Sequence, residues 1–282
     1  MSLGTPEHGP RSAEGLFPFE RRLLRFRGLV ATLTRRELAA RYRGSLLGFF
    51  WSLVNPLLLL AVYTLVFELV FRQRFGEVRP YAVFLVCGLF PWTFLSTALL
   101  EGTVSLSTNA GLLRKAVFPA EVLPMVSTLA SLVHFLLALP VVLLALGAAR
   151  AAGFAVGGWT VLLLPLPVVL QLVFCGGLAL ALAALAVHFK DVRDLLQNLL
   201  TLGFFLTPVL YPLEAVRHVR GLSWVIAANP ATPFLRLYQE LLFHGRLPAA
   251  SLWLQAAGLA LLAWAAGTWL FARLSPTLVE AV

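Results

Sequence analysis

Six apolar stretches are long enough to cross a lipid bilayer, and they constrain the fold more than any other feature of the sequence. A helix rises about 1.5 Å per residue, so the hydrocarbon core of a membrane requires about 20 apolar residues whose backbone bonds to itself. Pro165 and Pro167 predict a kinked or re-entrant beginning for the fourth stretch. We predict an all-α polytopic membrane protein with spans at Ser45–Phe71, Tyr81–Leu100, Val122–Ala149, Trp159–Val187, Leu195–Leu213 and Leu247–Ala272.

The composition excludes an ordinary soluble protein. Of 282 residues, 60% are hydrophobic and 12% are charged, whereas a soluble domain has roughly 25% charged residues. The net charge is +9, but the basic residues lie between the apolar stretches and form no single patch, so nucleic acid is not an expected partner. Cys87 and Cys175 lie inside apolar stretches, which leaves neither a disulfide framework nor a zinc site.

The distribution of Lys and Arg predicts the orientation in the membrane. With a cytoplasmic N-terminus, the cytoplasmic side holds fourteen basic residues and the opposite side eight. Because cytoplasmic segments carry an excess of basic residues, we expect a multi-pass protein of the cytoplasmic (inner) membrane with both termini inside. The chain then divides into a cytoplasmic segment (1–44), a six-span transmembrane domain (45–273) and a short cytoplasmic tail (274–282).

The segment before the first span has a helical pattern of its own. Apolar residues recur at steps of three and four from Leu16 to Leu33, while Arg21, Arg22 and Arg25 largely avoid their face. This predicts an amphipathic helix lying in the inner headgroup layer. Packing of the same face against the protein's own spans is the alternative, and the two are compatible.

The reactive groups of a self-sufficient enzyme or pump are scarce. The only Asp residues are Asp191 and Asp194, and the sequence has no His-Glu-x-x-His motif and no phosphate-binding loop. We interpret His134 as a neutral packing residue, and Glu68 and Glu101 as solvated carboxylates near span ends. Spans that contain so few charged residues predict a passive conduit, in which transport is powered by a source outside the bilayer.

Two small-residue motifs would allow close helix packing. Gly177-x-x-x-Ala181 and Ala263-x-x-x-Gly267 lie in the fourth and sixth predicted spans. In segments this rich in Ala and Gly, such motifs are also expected by chance.

A specific motif precedes the first span, in the segment from Thr34 to Pro56. It follows the pattern Arg-Asp-x-x-x-Arg-Tyr-x-x-Ser-x-Leu-Gly-x-x-Trp and resembles the permease subunits of type-2 ABC exporters of polysaccharides and teichoic acids. Glu37 stands where Asp is usual, which keeps the charge. The matching residues are Arg36, Arg41, Tyr42, Ser45, Leu47, Gly48 and Trp51.

Further matches to that family follow in order along the chain. They are Gly88-Leu-Phe-Pro-Trp-Thr-Phe94, the loop over 109–124, Phe189-Lys-Asp191, Thr207-Pro-Val-Leu-Tyr-Pro212, and Asn229-Pro230 with the segment up to Gly245. The sequence departs from the family pattern at Lys190, where Arg is usual. It also has Arg236 where an acidic residue is common and Gln239 where Arg is common, so a salt bridge of the family is lost here.

The resemblance implies a transport subunit that is not itself an enzyme. Members of the family export polyprenyl-diphosphate-linked polysaccharides of the O-antigen, teichoic acid or capsule type. They act as homodimers with two separate ATPase subunits, which bind the ATP and Mg²⁺, so this chain would hold no cofactor and no metal. The expected partners are therefore a second copy, two ATPases, a lipid-linked glycan and membrane lipids.

The resemblance also assigns a short cytoplasmic helix, between the second and third spans, to contact with the ATPase. On residue types, this helix presents a small apolar face flanked by basic residues, and a proline ends it. An ordinary basic loop beside the membrane is the alternative. The expected coupling residues are Asn109, Leu112, Leu113, Arg114, Lys115, Phe118 and Pro119.

Two more groups of candidates concern the path of the cargo. Basic residues at the inner end of a span can approach lipid phosphates, and aromatic faces can stack on sugar rings while the polymer slides, although most aromatic residues of a membrane protein face lipid. The candidates for the cytoplasmic entrance are Arg36, Arg41, Tyr42, Arg43 and Trp51, and those for the channel lining are Tyr63, Phe67, Phe204, Phe205 and Tyr211.

The segment Pro212–Pro248 before the last span predicts two short extracytoplasmic helices that are re-entrant or rest on the interface.

Two other functions compete with polysaccharide export. One is a type-2 ABC permease for drugs or small lipids, and the other is a membrane-embedded glycosyl or acyl transferase, against which the missing acid and metal clusters argue.

Overall fold

The computed structural model describes residues 18–44, 50–63, 65–66, 78–115, 118–216, 219 and 221–281, and the regular elements in these ranges are all helical. Short 3₁₀ turns occur at Trp159–Leu163 and Leu213–Val216, and a π-helical turn at Gln239–Phe243. The α-helices are α1 (Pro18–Arg25), α2 (Arg27–Tyr42), α3 (Trp51–Tyr63), α4 (Tyr81–Thr108), α5 (Ala110–Lys115), α6 (Val122–Ala151), α7 (Pro165–His188), α8 (Val192–Phe205), α9 (Leu222–Ala228), α10 (Thr232–Tyr238) and α11 (Ala250–Ala281).

Four helical segments in the described ranges are long and apolar enough to cross a membrane, which confirms an all-helical, multi-pass membrane protein. They are Tyr81–Thr108, Val122–Ala151, Trp159–His188 and Ala250–Thr277. The first predicted span lies partly outside the described residues. In place of the fifth predicted span, α8 has 14 residues, which is about 21 Å of helix against the roughly 30 Å of a hydrocarbon core.

Helix α4 forms the centre of the molecule. It packs on α3, α6, α7, α8 and α10, and twenty of its 28 residues are buried. Gln171 of α7 is fully buried and donates a hydrogen bond of 2.8 Å from Nε2 to the Pro91 carbonyl oxygen inside α4. A buried polar side chain is stable only with such a partner, so this bond fixes the position of α7 on α4.

In place of the single amphipathic helix predicted near the N-terminus, the structure has two helices, α1 and α2, separated by a turn at Phe26. The buried Phe19 of α1 meets Trp264 of α11 edge-to-face at a centroid distance of 5.5 Å. Arg22 Nε lies 3.5 Å from Glu121 Oε1 at the start of α6. These contacts confirm that α1 packs on the protein's own spans, while its place in the headgroup layer stays a prediction.

Of the two short helices before the last span, α10 is built into the core, whereas α9 is largely exposed, with Trp224 at 79%. Every residue of α10 except Arg236 is buried. Phe234 packs on Phe174 of α7 at 4.7 Å, and Tyr238 packs on Phe135 of α6 at 5.7 Å between ring centroids. Aromatic pairs at these distances add to the free energy gained from area burial, so α10 ties α6 and α7 together.

The two small-residue motifs face each other where α7 crosses α11. A Cβ atom added to Gly267 would lie 1.9 Å from the Gly177 carbonyl oxygen, and one added to Gly177 would lie 2.4 Å from the Ala263 carbonyl oxygen. The two backbones are therefore in direct contact. The sequence alone could not distinguish this pairing from chance matches.

Substitution of Gly267 by Ala should destabilise the protein by about 1–3 kcal/mol, because the methyl group would overpack a backbone contact. Thermal unfolding of the purified protein in detergent measures this as a lower midpoint. Gly258 of the same helix is the matched control, since a Cβ atom there meets nothing within 4 Å. Gly258→Ala should leave the midpoint unchanged or raise it, because Ala favours a helix; equal effects of the two variants would contradict the proposed packing.

Candidate functional site

A polar cavity of about 420 Å³ lies at the end of the bundle that carries the N-terminal helices. Its walls come from α2, α4, α5 and α6. Apolar lining is provided by residues such as Leu33 and Leu123. The charged and polar lining residues are Arg36, Glu37, Arg41, Glu101, Ser105, Thr108, Asn109 and Ser127.

An ion-pair network joins three helices in this cavity. The Arg41 guanidinium of α2 donates a hydrogen bond to the Glu101 carboxylate of α4 and lies 3.4 Å from Glu37 Oε1 on its own helix. The second carboxylate oxygen of Glu37 accepts a hydrogen bond of 3.4 Å from Ser127 Oγ of α6. Arg41 therefore joins α2 to α4, and Glu37 joins α2 to α6.

The pKa of Glu37 lies above its ordinary value. Burial is the largest cause, since it penalises the charged carboxylate, and the neighbouring Glu101 carboxylate acts in the same direction. The Arg41 guanidinium and the Ser127 hydroxyl oppose this shift without cancelling it. The carboxyl group of Glu37 is thus held closer to neutrality than an exposed one.

The predicted coupling residues gather around α5. Asn109 ends α4 by donating from Nδ2 to the Ser105 carbonyl oxygen at 2.9 Å, and its own carbonyl accepts the Leu112 and Leu113 amides. Helix α5 ends with Arg114 and Lys115, whose side chains lie outside the described part. After it, the Pro119 carbonyl accepts the Val122 amide at the start of α6.

The apolar residues of α5 are turned towards the chain itself. Leu112, Leu113 and Phe118 are half-buried and pack against a cluster that includes Leu106 of α4 and Phe271 of α11. The sequence predicts that Leu112 and Leu113 belong to a small apolar face for a soluble partner, and that role stays a prediction. Because they touch the spans, they anchor α5 to the membrane domain, whereas Gly111 is exposed.

The predicted entrance residues lie around the end of α2. Arg36 is exposed and lines the cavity, Arg41 lies within it, and the exposed Arg43 ends the helix. The side chain of Tyr42 lies outside the described part. Trp51 begins α3 and is 37% exposed.

The channel-lining candidates are distributed along α4. Phe204 packs against Trp92 at 5.9 Å between ring centroids, and Tyr63 of α3 packs against the buried core near Tyr81. Since Tyr81 and Trp92 are eleven residues apart on α4, the two contacts lie about 16 Å apart along it.

The remaining candidates lie near the end of α8. Phe205 is 58% exposed, and its carbonyl accepts a hydrogen bond of 2.7 Å from the Tyr211 hydroxyl. Phe67 lies outside the described residues. Of the described candidates, Tyr63 and Phe204 therefore contact one side of the central helix, and the set does not form a single cluster.

Sequence reasoning missed the partners of the charged residues at this end of the bundle. Glu101 was expected to be solvated, but it pairs with Arg41, and the buried Glu121 pairs with Arg22. The four-residue spacing of Glu37 and Arg41 was a usable signal for an ion pair on α2. Ser127 carried no signal, because its role depends on how α6 packs against α2.

His134 conforms to its prediction as a hydrogen-bonded packing residue, since its Nδ1 lies 2.9 Å from the Ala130 carbonyl oxygen. Among the described residues, no group of three or more His, Cys, Asp or Glu side chains is placed to hold a metal ion.

Comparison with known proteins identifies a consistent set of relatives. A protein-family profile described as "ABC-2 type transporter" matches residues 28–243. The O-antigen export system permease protein RfbA of Myxococcus xanthus is 40% identical over 252 residues, which cover 88% of this chain and 93% of that protein. Two proteins of the same name from Klebsiella pneumoniae are 30% and 29% identical over 219 residues, which cover 78% of this chain and 82% of each.

Substitution of Glu37 by Gln should remove a pH-dependent part of the stability. Between the ordinary value of 4.5 and the raised pKa, the folded protein binds more protons than the unfolded one, so the contribution of this carboxyl group falls as the pH rises. The thermal midpoint of the wild type, measured relative to E37Q, should therefore decrease as the pH rises from acid values through the raised pKa of Glu37. The exposed Asp194→Asn is the control, and a constant difference between wild type and E37Q would refute the role of burial.

Proposed function

The chain belongs to the ABC-2 type transporter family, and from this premise we propose that it is the permease subunit of an ATP-driven exporter of O-antigen polysaccharide. The observation that carries the proposal is the match to an O-antigen export permease over nearly the full length of both chains. The cargo would be a glycan linked to a polyprenyl diphosphate. The ATP and Mg²⁺ would be bound by a separate ATPase, two copies of which would join two copies of this chain.

The contacts of α5 support a rigid connection between the ATPase and the spans. Leu112, Leu113 and Phe118 fix α5 to a cluster that contains residues of α4, α7 and α11. A force applied to α5 would therefore reach three membrane helices without passing through a loose loop. We infer that the ATPase contacts the exposed side at Gly111 together with the basic residues that the sequence places at the end of α5, Arg114 and Lys115.

The cavity beside α2 lies where lipid-linked cargo would enter under the proposed topology. Arg36 and Arg43 are exposed there, and the Arg41 network holds α2 against α4 and α6. Exposed guanidinium groups at the headgroup level attract phosphates, which suits a cargo that carries a diphosphate.

The exposed apolar faces of α3 and α8 support a homodimer. Leu195, Leu199 and Leu202 lie on one face of α8 with 60%, 65% and 61% of their surface exposed. On α3, Leu57, Leu58 and Val62 are 50%, 53% and 54% exposed. We infer that two copies enclose the passage between these helices, with Tyr63, Phe204 and Phe205 next to it.

The proposed topology has six crossings with both termini in the cytoplasm. In it, the segment that contains α3 makes the first crossing, and α8 together with the turns up to Leu213 makes the fifth. The sharp turn at Thr207 and Pro208, where Gln239 donates to the Pro208 carbonyl oxygen, would lie near the outer end of that crossing.

Reversal of the charge at the end of α5, in the double variant R114E/K115E, should abolish co-purification of the partner ATPase and stop the appearance of O-antigen on the cell surface. Lys190→Glu, in the exposed turn before α8, is the matched control and should retain both. Leu113→Ala should instead lower the thermal midpoint of the permease, because Leu113 anchors α5. Normal co-purification with R114E/K115E would rule out this surface as the docking site.

Labelling of single cysteines tests whether α8 crosses the membrane. With Lys190→Cys, Ala152→Cys and Ala228→Cys in separate variants, a membrane-impermeant maleimide applied to spheroplasts should label positions 152 and 228 but leave 190 unlabelled. The native Cys87 and Cys175 are fully buried and give little background. Labelling of 190 and 228 from the same side would show that α8 does not cross.

A further inference from the structure

A second polar cavity, of about 260 Å³, lies at the start of α11, away from the N-terminal helices. It is formed by α10, the turns that follow it and the first two turns of α11. Its charged and polar lining residues are Arg236, Glu240, Arg246, Ser251 and Gln255.

The two arginines of this cavity differ in their contacts. Arg246 Nε donates to Glu240 Oε2 at 2.6 Å, and the Arg246 amide bonds to the Glu240 carbonyl oxygen at 3.1 Å. Within the described part of the chain, the Arg236 guanidinium has neither an ion pair nor a hydrogen bond. Glu240 is thus engaged by Arg246, and the donors of Arg236 are left for a ligand.

The position of Arg236 is fixed by its helix. Its neighbours Leu235 and Leu237 are fully buried. The adjacent Gln239 is also buried and donates from Nε2 to the Pro208 carbonyl oxygen at 2.6 Å. Arg236 is the one residue of α10 that lines the cavity, so the buried neighbours fix its backbone at the cavity wall.

We propose that this cavity binds a phosphate group carried on a lipid, with Arg236 as its principal ligand. A guanidinium forms two parallel hydrogen bonds to a phosphate, which are stronger than bonds between neutral groups. Ser251 and Gln255, four residues apart and on one face of α11, supply further donors. A water molecule takes about 30 Å³, so the cavity has room for a phosphate group with several waters.

Under the proposed function, this site lies in the outer leaflet. The phosphate then comes from a membrane phospholipid or from the diphosphate of the cargo after it has crossed. The proposal depends on the proposed function for this placement alone. The binding chemistry is a property of the isolated permease.

Binding to the purified full-length permease, in detergent and without any ATPase, tests the site. The probes are dioctanoyl phosphatidylglycerol, farnesyl diphosphate, inorganic phosphate and, as the probe without phosphate, dioctanoylglycerol. Native mass spectrometry and titration calorimetry should show one saturable site per chain for a probe with phosphate. Arg236→Gln should weaken it about tenfold or more, the effect of losing a charge-assisted hydrogen bond. The exposed Arg150→Gln at the end of α6, on the same side in the predicted topology, should leave it unchanged.

The outcomes separate the two sources and decide the proposal. Tighter binding of phosphatidylglycerol identifies a phospholipid site, and tighter binding of farnesyl diphosphate identifies a site for the cargo. Equal affinity of R236Q and wild type, binding of dioctanoylglycerol as tight as that of its phosphate analogue, or no saturable binding would overturn the proposal.

Conservative variants keep the test decisive if R236Q does not fold. Arg236→Lys keeps the charge but loses the paired geometry, and Ser251→Ala removes a donor near the surface. Weaker phosphate binding by either variant, at an unchanged thermal midpoint, supports the site, and unchanged binding by both refutes it. Failure of export or of ATPase docking would contradict the proposed function but would leave this binding result intact.

Discussion

The hydrocarbon core of a membrane offers backbone amides and carbonyls no partner, and most of this structure follows from that constraint. The long segments are therefore helices. Because lipid tails are as apolar as the side chains, the hydrophobic effect does not drive these helices together, and their association depends on how closely their surfaces fit. Gly177 and Gly267 bring two backbones into contact, while Gln171 satisfies a carbonyl of the buried helix α4. Ionised side chains are placed near the ends of the bundle, where the Arg41 network, the Arg22–Glu121 pair and the cavity at Arg236 lie.

Long, uniformly apolar segments were predictable from the sequence because their length alone identifies them. Helices α4, α6, α7 and α11 match four predicted spans closely. The fifth was less predictable, since hydropathy does not reveal that the helix of α8 ends at Phe205 before the turn at Thr207 and Pro208. Proline spacing did predict the start of α7, where a 3₁₀ turn gives way to an α-helix at Pro165.

The candidate site was predictable in its residues but not in its contacts. The motif before the first span identified Arg36, Glu37 and Arg41, yet the partner of Arg41 on α4 is sixty residues away in sequence. Residue types also indicated a free apolar face on α5, whereas Leu112 and Leu113 pack on the spans. A sequence pattern shows which side chains share a helix face, but not which neighbour covers that face.

The helices around α4 are held with unequal firmness. Helices α7 and α11 touch backbone to backbone, so any separation would open an empty gap between them. Helices α3 and α8 instead rest on the bundle by one face and present aliphatic side chains outwards. Under the proposed function, α7 and α11 would keep their relative positions during a transport cycle. The passage between two copies would then widen by sliding of α3 and α8, not by separation of α7 from α11.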